Sequence, residues 1–106
     1  MDGGRLLLDT NVFVAAGFKP ASAAAQVIAT VRDGRHRLVW DVPTRGETQA
    51  VLTRIPRLDW EAFSALFRPE DEFRGPTDPA AFTLVEDPGD RKFAALAAAA
   101  GAVLIS

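Results

Sequence analysis

The chain has 106 residues, 48% of them apolar and 25% charged, with a net charge of −2. This is the make-up of one globular domain, and it argues against a chain disordered throughout or a strongly basic protein that coats nucleic acid. The absence of cysteine removes disulfides, thiolate metal sites and cysteine nucleophiles, and the single His36 cannot build a multi-histidine metal site.

The first element is a strand over Arg5 to Leu8, an apolar run of the kind buried on both faces of a parallel sheet. It ends at Asp9-Thr10-Asn11, and a short helix or turn follows from Asn11 to Gly17. Gly3-Gly4 precedes this strand instead of following it, so no dinucleotide-binding fingerprint is present. Lys19-Pro20 breaks the chain, and Ser22 to Arg32 carries Ala, Val and Ile at helical spacing up to the turn at Asp33-Gly34. A surface turn around His36 leads into a second strand, Arg37 to Trp40. Asp41 and Pro43 lead into a helix starting at Thr44 and running to about Arg54, and Asp59 caps a further helix, Trp60 to Phe67. Arg68 to Phe82 reads mostly as loop, with a short strand near Phe73 or Phe82–Leu84. Asp87-Pro88 opens the last helix, to about Ala100, and its Phe, Leu and Ala content predicts deep packing. Gly101 ends it, and Ala102 to Ile105 forms a closing strand.

Strands alternating with helices imply right-handed crossovers and a three-layer α/β/α domain, residues 1–106, around a parallel sheet. No stretch reads as a signal peptide, and the apolar run Phe93 to Ile105 is too short to span a bilayer, so a cytoplasmic protein without membrane partners is expected.

In such sheets ligands bind beyond the carboxyl ends of the strands, which is where Asp9 stands. Helices that follow or precede parallel strands start at that same edge, so Glu47 and Asp90 are expected beside it. Clustered carboxylates repel one another, and a hard cation such as Mg²⁺ or Mn²⁺ is the usual compensation. Each acid also has a plainer reading. Asp9 or Asn11 can cap the helix that follows. Thr44-Arg45-Gly46-Glu47 fits a capping box. Asp87-Pro88-Gly89-Asp90 fits a capped helix start with an acid in its first turn.

The segments Leu7-Leu8-Asp9-Thr10-Asn11-Val12, Thr44-Arg45-Gly46-Glu47-Thr48 and Asp87-Pro88-Gly89-Asp90-Arg91-Lys92-Phe93-Ala94-Ala95-Leu96-Ala97, with Gly101 to Ser106 closing, resemble the PIN-domain family. More narrowly, the chain resembles its toxin components of bacterial type II toxin–antitoxin pairs. The resemblance implies a PIN-like sheet with an acidic pocket at one edge, where Asp9, Glu47 and Asp90 are catalytic and bind Mg²⁺ or Mn²⁺. It implies metal-assisted hydrolysis of RNA phosphodiesters, leaving a 5′-phosphate and a 3′-hydroxyl, and an antitoxin protein as partner. Asn11 and Ser106 map beside the pocket as residues that orient ligands or water. Arg45, Arg91 and Lys92 lie near the same helix starts, within reach of RNA phosphates. Family members continue past the last strand with a polar turn carrying another Asp and one more strand. A sequence ending at Ser106 is therefore expected to be a C-terminally shortened, fragmentary or degenerate member, with weakened metal binding and an exposed sheet edge that favours a homo-oligomer.

Two other enzymes fit less well. A haloacid-dehalogenase-like phosphatase needs an acid two residues after the first, where Asn11 stands, and a phosphorelay receiver needs a Lys after a late strand. The alternative from another class is a non-catalytic PIN-like module that binds a protein or RNA.

Overall fold

The computed structural model describes residues 4–106, so Gly3 and the rest of the first three residues lie outside the described part. Its centre is a three-stranded parallel sheet in the order β2-β1-β3, with β1 at Arg5–Leu8, β2 at Arg37–Leu38 and β3 at Val103–Ile105. β1 pairs Leu6 with Leu38 on one side and Leu6, Leu7 and Leu8 with Val103, Leu104 and Ile105 on the other. Successive side chains on a strand face opposite ways. Leu6 and Leu8 therefore enter one core, with Phe13, Ile28, Val31 and Leu52, while Leu7 enters a second, with Val39, Phe93 and Leu96. Helices α1 (Thr10–Phe18), α2 (Ala23–Arg32) and α3 (Val42–Arg54) contribute to the first core, and α5 (Arg91–Ala100) covers the opposite face. Fully burying each such leucine or phenylalanine contributes roughly 1.5–3 kcal/mol. The apolar run at Arg5–Leu8 is thus what a strand needs when both its faces are covered.

Several boundaries differ from those expected. The second strand spans only Arg37–Leu38, although the Val39 N–H still donates to the Leu6 carbonyl at 2.7 Å, and Trp40 forms an isolated parallel bridge with Glu72. The Phe73 N–H donates to the Trp40 carbonyl at 2.7 Å, so the short extended stretch lies at Glu72–Phe73 and not at Phe82–Leu84. The helix expected over Trp60–Phe67 is only Glu61–Ser64 (α4). Its flanks are drawn into an aromatic cluster in which Phe67 packs 5.6 Å from Phe13, 6.0 Å from Trp40 and 5.3 Å from Trp60. Helix α5 is also less enclosed than its composition implies, since Ala98 and Ala99 are exposed. Its end is as expected, with Gly101 in the left-handed region at φ 67°.

Among the described residues no single helix is long and apolar enough to cross a membrane.

Candidate active site at the carboxyl edge of the sheet

Asp9 sits where β1 passes into α1. Its N–H donates to the Ile105 carbonyl at 2.9 Å, continuing the ladder to β3 for one more residue. Its Oδ1 accepts the Asn11 N–H at 2.9 Å and caps α1. The capping role is therefore real for this acid. It engages one oxygen, and the other has no protein donor among the described residues.

For Glu47 the capping explanation fails. Helix α3 begins at Val42, with Asp41 as its cap and Pro43 in its first turn. Thr44 N–H donates to Asp41 Oδ1 at 3.0 Å, and the Asp41 N–H donates back to Thr44 Oγ1 at 3.1 Å, so the reciprocal box is Asp41–Thr44 and not Thr44–Glu47. The proline that preorganises the first turn sits before Thr44, which is why the helix starts earlier. Glu47 is left in the second turn, half-buried, where its Oε1 accepts from Lys92 Nζ on α5 at 2.8 Å. Next to it, the buried Thr48 hydroxyl bonds to the Thr10 hydroxyl at 2.9 Å. That pair ties α3 to α1 at the residues adjoining Glu47 and Asp9.

Around Asp90 the expected capped start is present, with Asp87 as the cap and Asp90 as the acid in the first turn. Asp87 caps a single 3-10 turn, Pro88–Asp90, through the Gly89 N–H at 2.9 Å. Asp90 then enters α5 with no side-chain capping bond. Its carboxyl is held above the ordinary 3.8, first by burial and then by the negative charges of Asp87, Asp9 and Glu47, with Lys92 opposing them. Burial and like charge both disfavour the ionised form of an acid. A Cβ at Gly89 would lie 3.3 Å from Asp87 Oδ1 and 3.7 Å from Glu47 Oε1, so this turn passes close to both carboxylates. Asp87 is the acid that sequence reasoning assigned only to capping. Its signal was its place three residues before Asp90, on the same turn.

The remaining expected residues are distributed around this edge. Asn11 is exposed in the first turn of α1, and Ser106 follows Ile105, whose carbonyl bonds Asp9. Arg91 Nε donates to the Val85 carbonyl at 3.0 Å, and Lys92 is turned to Glu47, so both cations are engaged within the protein. Arg45 lies apart from the acids, over the Trp60 ring with its guanidinium carbon 5.1 Å from the centroid.

A model of the PIN domain matches residues 5–105. The chain belongs to the PIN-domain family. PIN domains are in general nucleases that act on RNA with a divalent metal. No curated protein and no solved structure matches the chain. The donor chemistry here fits a hard divalent cation, because Asp9, Glu47, Asp87 and Asp90 offer carboxylate oxygens whose mutual repulsion is felt at Asp90. Their spacing is more open than a formed metal site. Among the described residues, no three acids close around one point as ligands do, and Lys92 supplies the positive charge at Glu47.

Proposed function

We propose that this PIN domain is a metal-dependent endoribonuclease whose reaction takes place at the carboxyl edge of its sheet. It acts as the toxin of a bacterial toxin–antitoxin pair in the cytoplasm. One observation carries the assignment of the site: Asp90 is held above its ordinary pKa first by burial and then by the charges of Asp87, Asp9 and Glu47, acids brought together from three separate parts of the chain. Such a perturbed carboxyl at Asp90 is found at functional sites more often than elsewhere.

Asp9, Glu47 and Asp90 would hold Mg²⁺ or Mn²⁺, which when bound supplies an activated water and charge stabilisation at a phosphoryl oxygen. The chain's own residues arrange the site. The Asn11 N–H fixes one oxygen of Asp9, and the Thr10–Thr48 bond holds α1 and α3 in register beneath the two acids. Lys92 holds Glu47 in place and offsets part of the repulsion on Asp90. The Asn11 amide and the Ser106 hydroxyl orient water or substrate beside the acids, and Arg91 and Lys92 stand at the same helix start, on the side from which RNA phosphates approach.

The test is cleavage of single-stranded RNA with Mg²⁺ or Mn²⁺ by the wild type and by Asp9→Asn, Glu47→Gln and Asp90→Asn. Cleavage by the wild type that each substitution reduces at least a hundredfold is the expected result. Cleavage that survives all three contradicts the assignment. The Glu47–Lys92 ion pair favours a second reading, a PIN module that binds without cutting. Its mark is metal-independent RNA or protein binding with no cleavage by the wild type.

For partners, the exposed Val103 and Leu104 on the edge strand β3 offer an antitoxin or a second copy of the chain a strand to pair with. A monodisperse monomer in sedimentation at micromolar concentration would count against self-association.

A further inference from the structure

On helix α3 the buried stripe is Thr44, Thr48 and Leu52. At about 100° per residue, Glu47 falls on one flank of that stripe and Arg45 on the other. Arg45 therefore stands outside the acidic cluster, on the same helix and near the same edge of the sheet. Its guanidinium carbon lies 5.1 Å from the Trp60 ring centroid, 5.9 Å from Trp40 and 6.0 Å from Phe67.

Arg35, Arg37 and Arg74 bond carboxylates, and Arg5, Arg32, Arg68 and Arg91 bond backbone carbonyls. Arg45 makes one bond, to the neutral Gln49 side chain at 3.3 Å, and no other among the described residues. Arg54 and Arg57 make no side-chain hydrogen bond among the described residues, so what sets Arg45 apart is that its unused donors lie on aromatic rings. A guanidinium carries five N–H donors, so most of its capacity is held ready on an aromatic bed.

Beside it opens a cavity of about 450 Å³ lined by Trp40, Val42, Arg45, Phe67, Pro69 and Glu72. Its walls are mainly apolar, with a cation and a carboxylate among them, and Glu72 is already paired with Arg74 at 3.1 Å. A phosphate offers only acceptors and would meet the Glu72 carboxylate. A nucleobase offers a flat apolar face to the walls, carbonyl acceptors to Arg45 and amino donors to Glu72. Unpaired bases commonly stack on aromatic side chains and on arginine planes.

We propose that this cavity is a subsite for one unpaired base of single-stranded RNA, seated on Arg45. The proposal rests on the nuclease reading for the identity of the ligand, and it adds a position at which the strand is held away from the acids.

The experiment is RNA binding by fluorescence anisotropy without divalent metal, so that cleavage is not required. Short single-stranded RNAs are used intact and with one abasic nucleotide walked along the strand. Arg45→Ala is expected to weaken binding of intact RNA about tenfold, the order expected for losing one stacked base. Arg45→Lys, which keeps the charge and loses the plane, should lose most of that. At one abasic position the wild type should bind as weakly as Arg45→Ala binds intact RNA, and Arg45→Ala should lose nothing further there. Val42→Glu is the second variant, because Val42 is 68% exposed and its replacement leaves the core untouched. It should weaken binding by repulsion at the mouth of the cavity, and it decides the matter if Arg45→Ala fails to fold. Unchanged binding by the folded variants overturns the subsite. So does an Arg45→Ala loss that is equal on every abasic RNA, the outcome expected of a phosphate contact. Base-dependent binding by a wild type that cuts no RNA overturns the nuclease reading and leaves the subsite standing. Cleavage abolished by Asp9→Asn but with binding indifferent to Arg45 does the reverse.

Discussion

The hydroxyl pair Thr10–Thr48 offers a quantitative test of how the acidic edge is held. Both residues are buried, at 5% and 1% exposure, and their oxygens lie 2.9 Å apart. Thr48→Val keeps the shape and removes one partner, leaving the Thr10 hydroxyl unpaired beside apolar neighbours. Losing a net hydrogen bond and stranding a buried polar group together cost about 1–2 kcal/mol. In a domain of this length that lowers Tm by about 5–15 °C. The double replacement Thr10→Val with Thr48→Val removes both partners and strands neither, so it should recover much of the loss. The two single costs should therefore exceed the double cost by about 1 kcal/mol, a coupling that a double-mutant cycle measures directly. Urea unfolding followed by the fluorescence of Trp40 and Trp60 is the assay, with the slope unchanged and the midpoint moved. Additive single costs, or a Thr48→Val midpoint equal to the wild type, would refute the argument that this bond fixes α1 against α3.

Asp90 gives a pH test. Its folded pKa lies above the ordinary 3.8, so the folded state binds the proton more tightly than the unfolded chain does. The stability it contributes is complete below 3.8 and is lost as pH rises through the raised value. Asp90→Asn should therefore gain in Tm relative to wild type between acid and neutral pH, and a difference that does not change with pH would contradict this. Lys92→Met removes the cation that offsets the repulsion, so carboxyl NMR should find the Asp90 midpoint higher still, with a stability cost of about 1 kcal/mol at neutral pH. Gly101→Ala meets no neighbouring atom but must hold φ 67°, so thermal unfolding should show a loss of about 1 kcal/mol from backbone strain alone.

What could be read from the sequence was local and periodic. Leu6, Leu7 and Leu8 announced a doubly covered strand because burial on both faces removes the usual alternation, and the fold bears this out. Asp41-Val42-Pro43-Thr44 held the true start of α3, with the proline in the first turn as its signal, although Thr44 with Glu47 imitates a box equally well as a string of residues. The short α4 could not be read, because Trp60, Phe63 and Phe67 are placed by contacts with Phe13 and Trp40, distant in the chain, and not by helical propensity. The same holds for the Trp40–Glu72 bridge. At the acidic edge, Asp9, Glu47 and Asp90 could be placed from topology, since strand ends and helix starts share an edge. The partners that set their charge could not. Lys92 meets Glu47 across 45 residues, and the like charge at Asp90 depends on how closely three segments converge.

The proposed function requires that these acids form the metal-dependent site of the domain. Titration of ¹⁵N-labelled protein with Mn²⁺, read as paramagnetic broadening of backbone amides, tests it most directly. Broadening is expected to centre on Asp9, Asn11, Glu47 and Asp90 and to be lost in Asp90→Asn. Broadening centred instead on the acids Glu70, Asp71 and Glu72, at the far side of β2, with the Asp9 and Asp90 amides untouched, would contradict it.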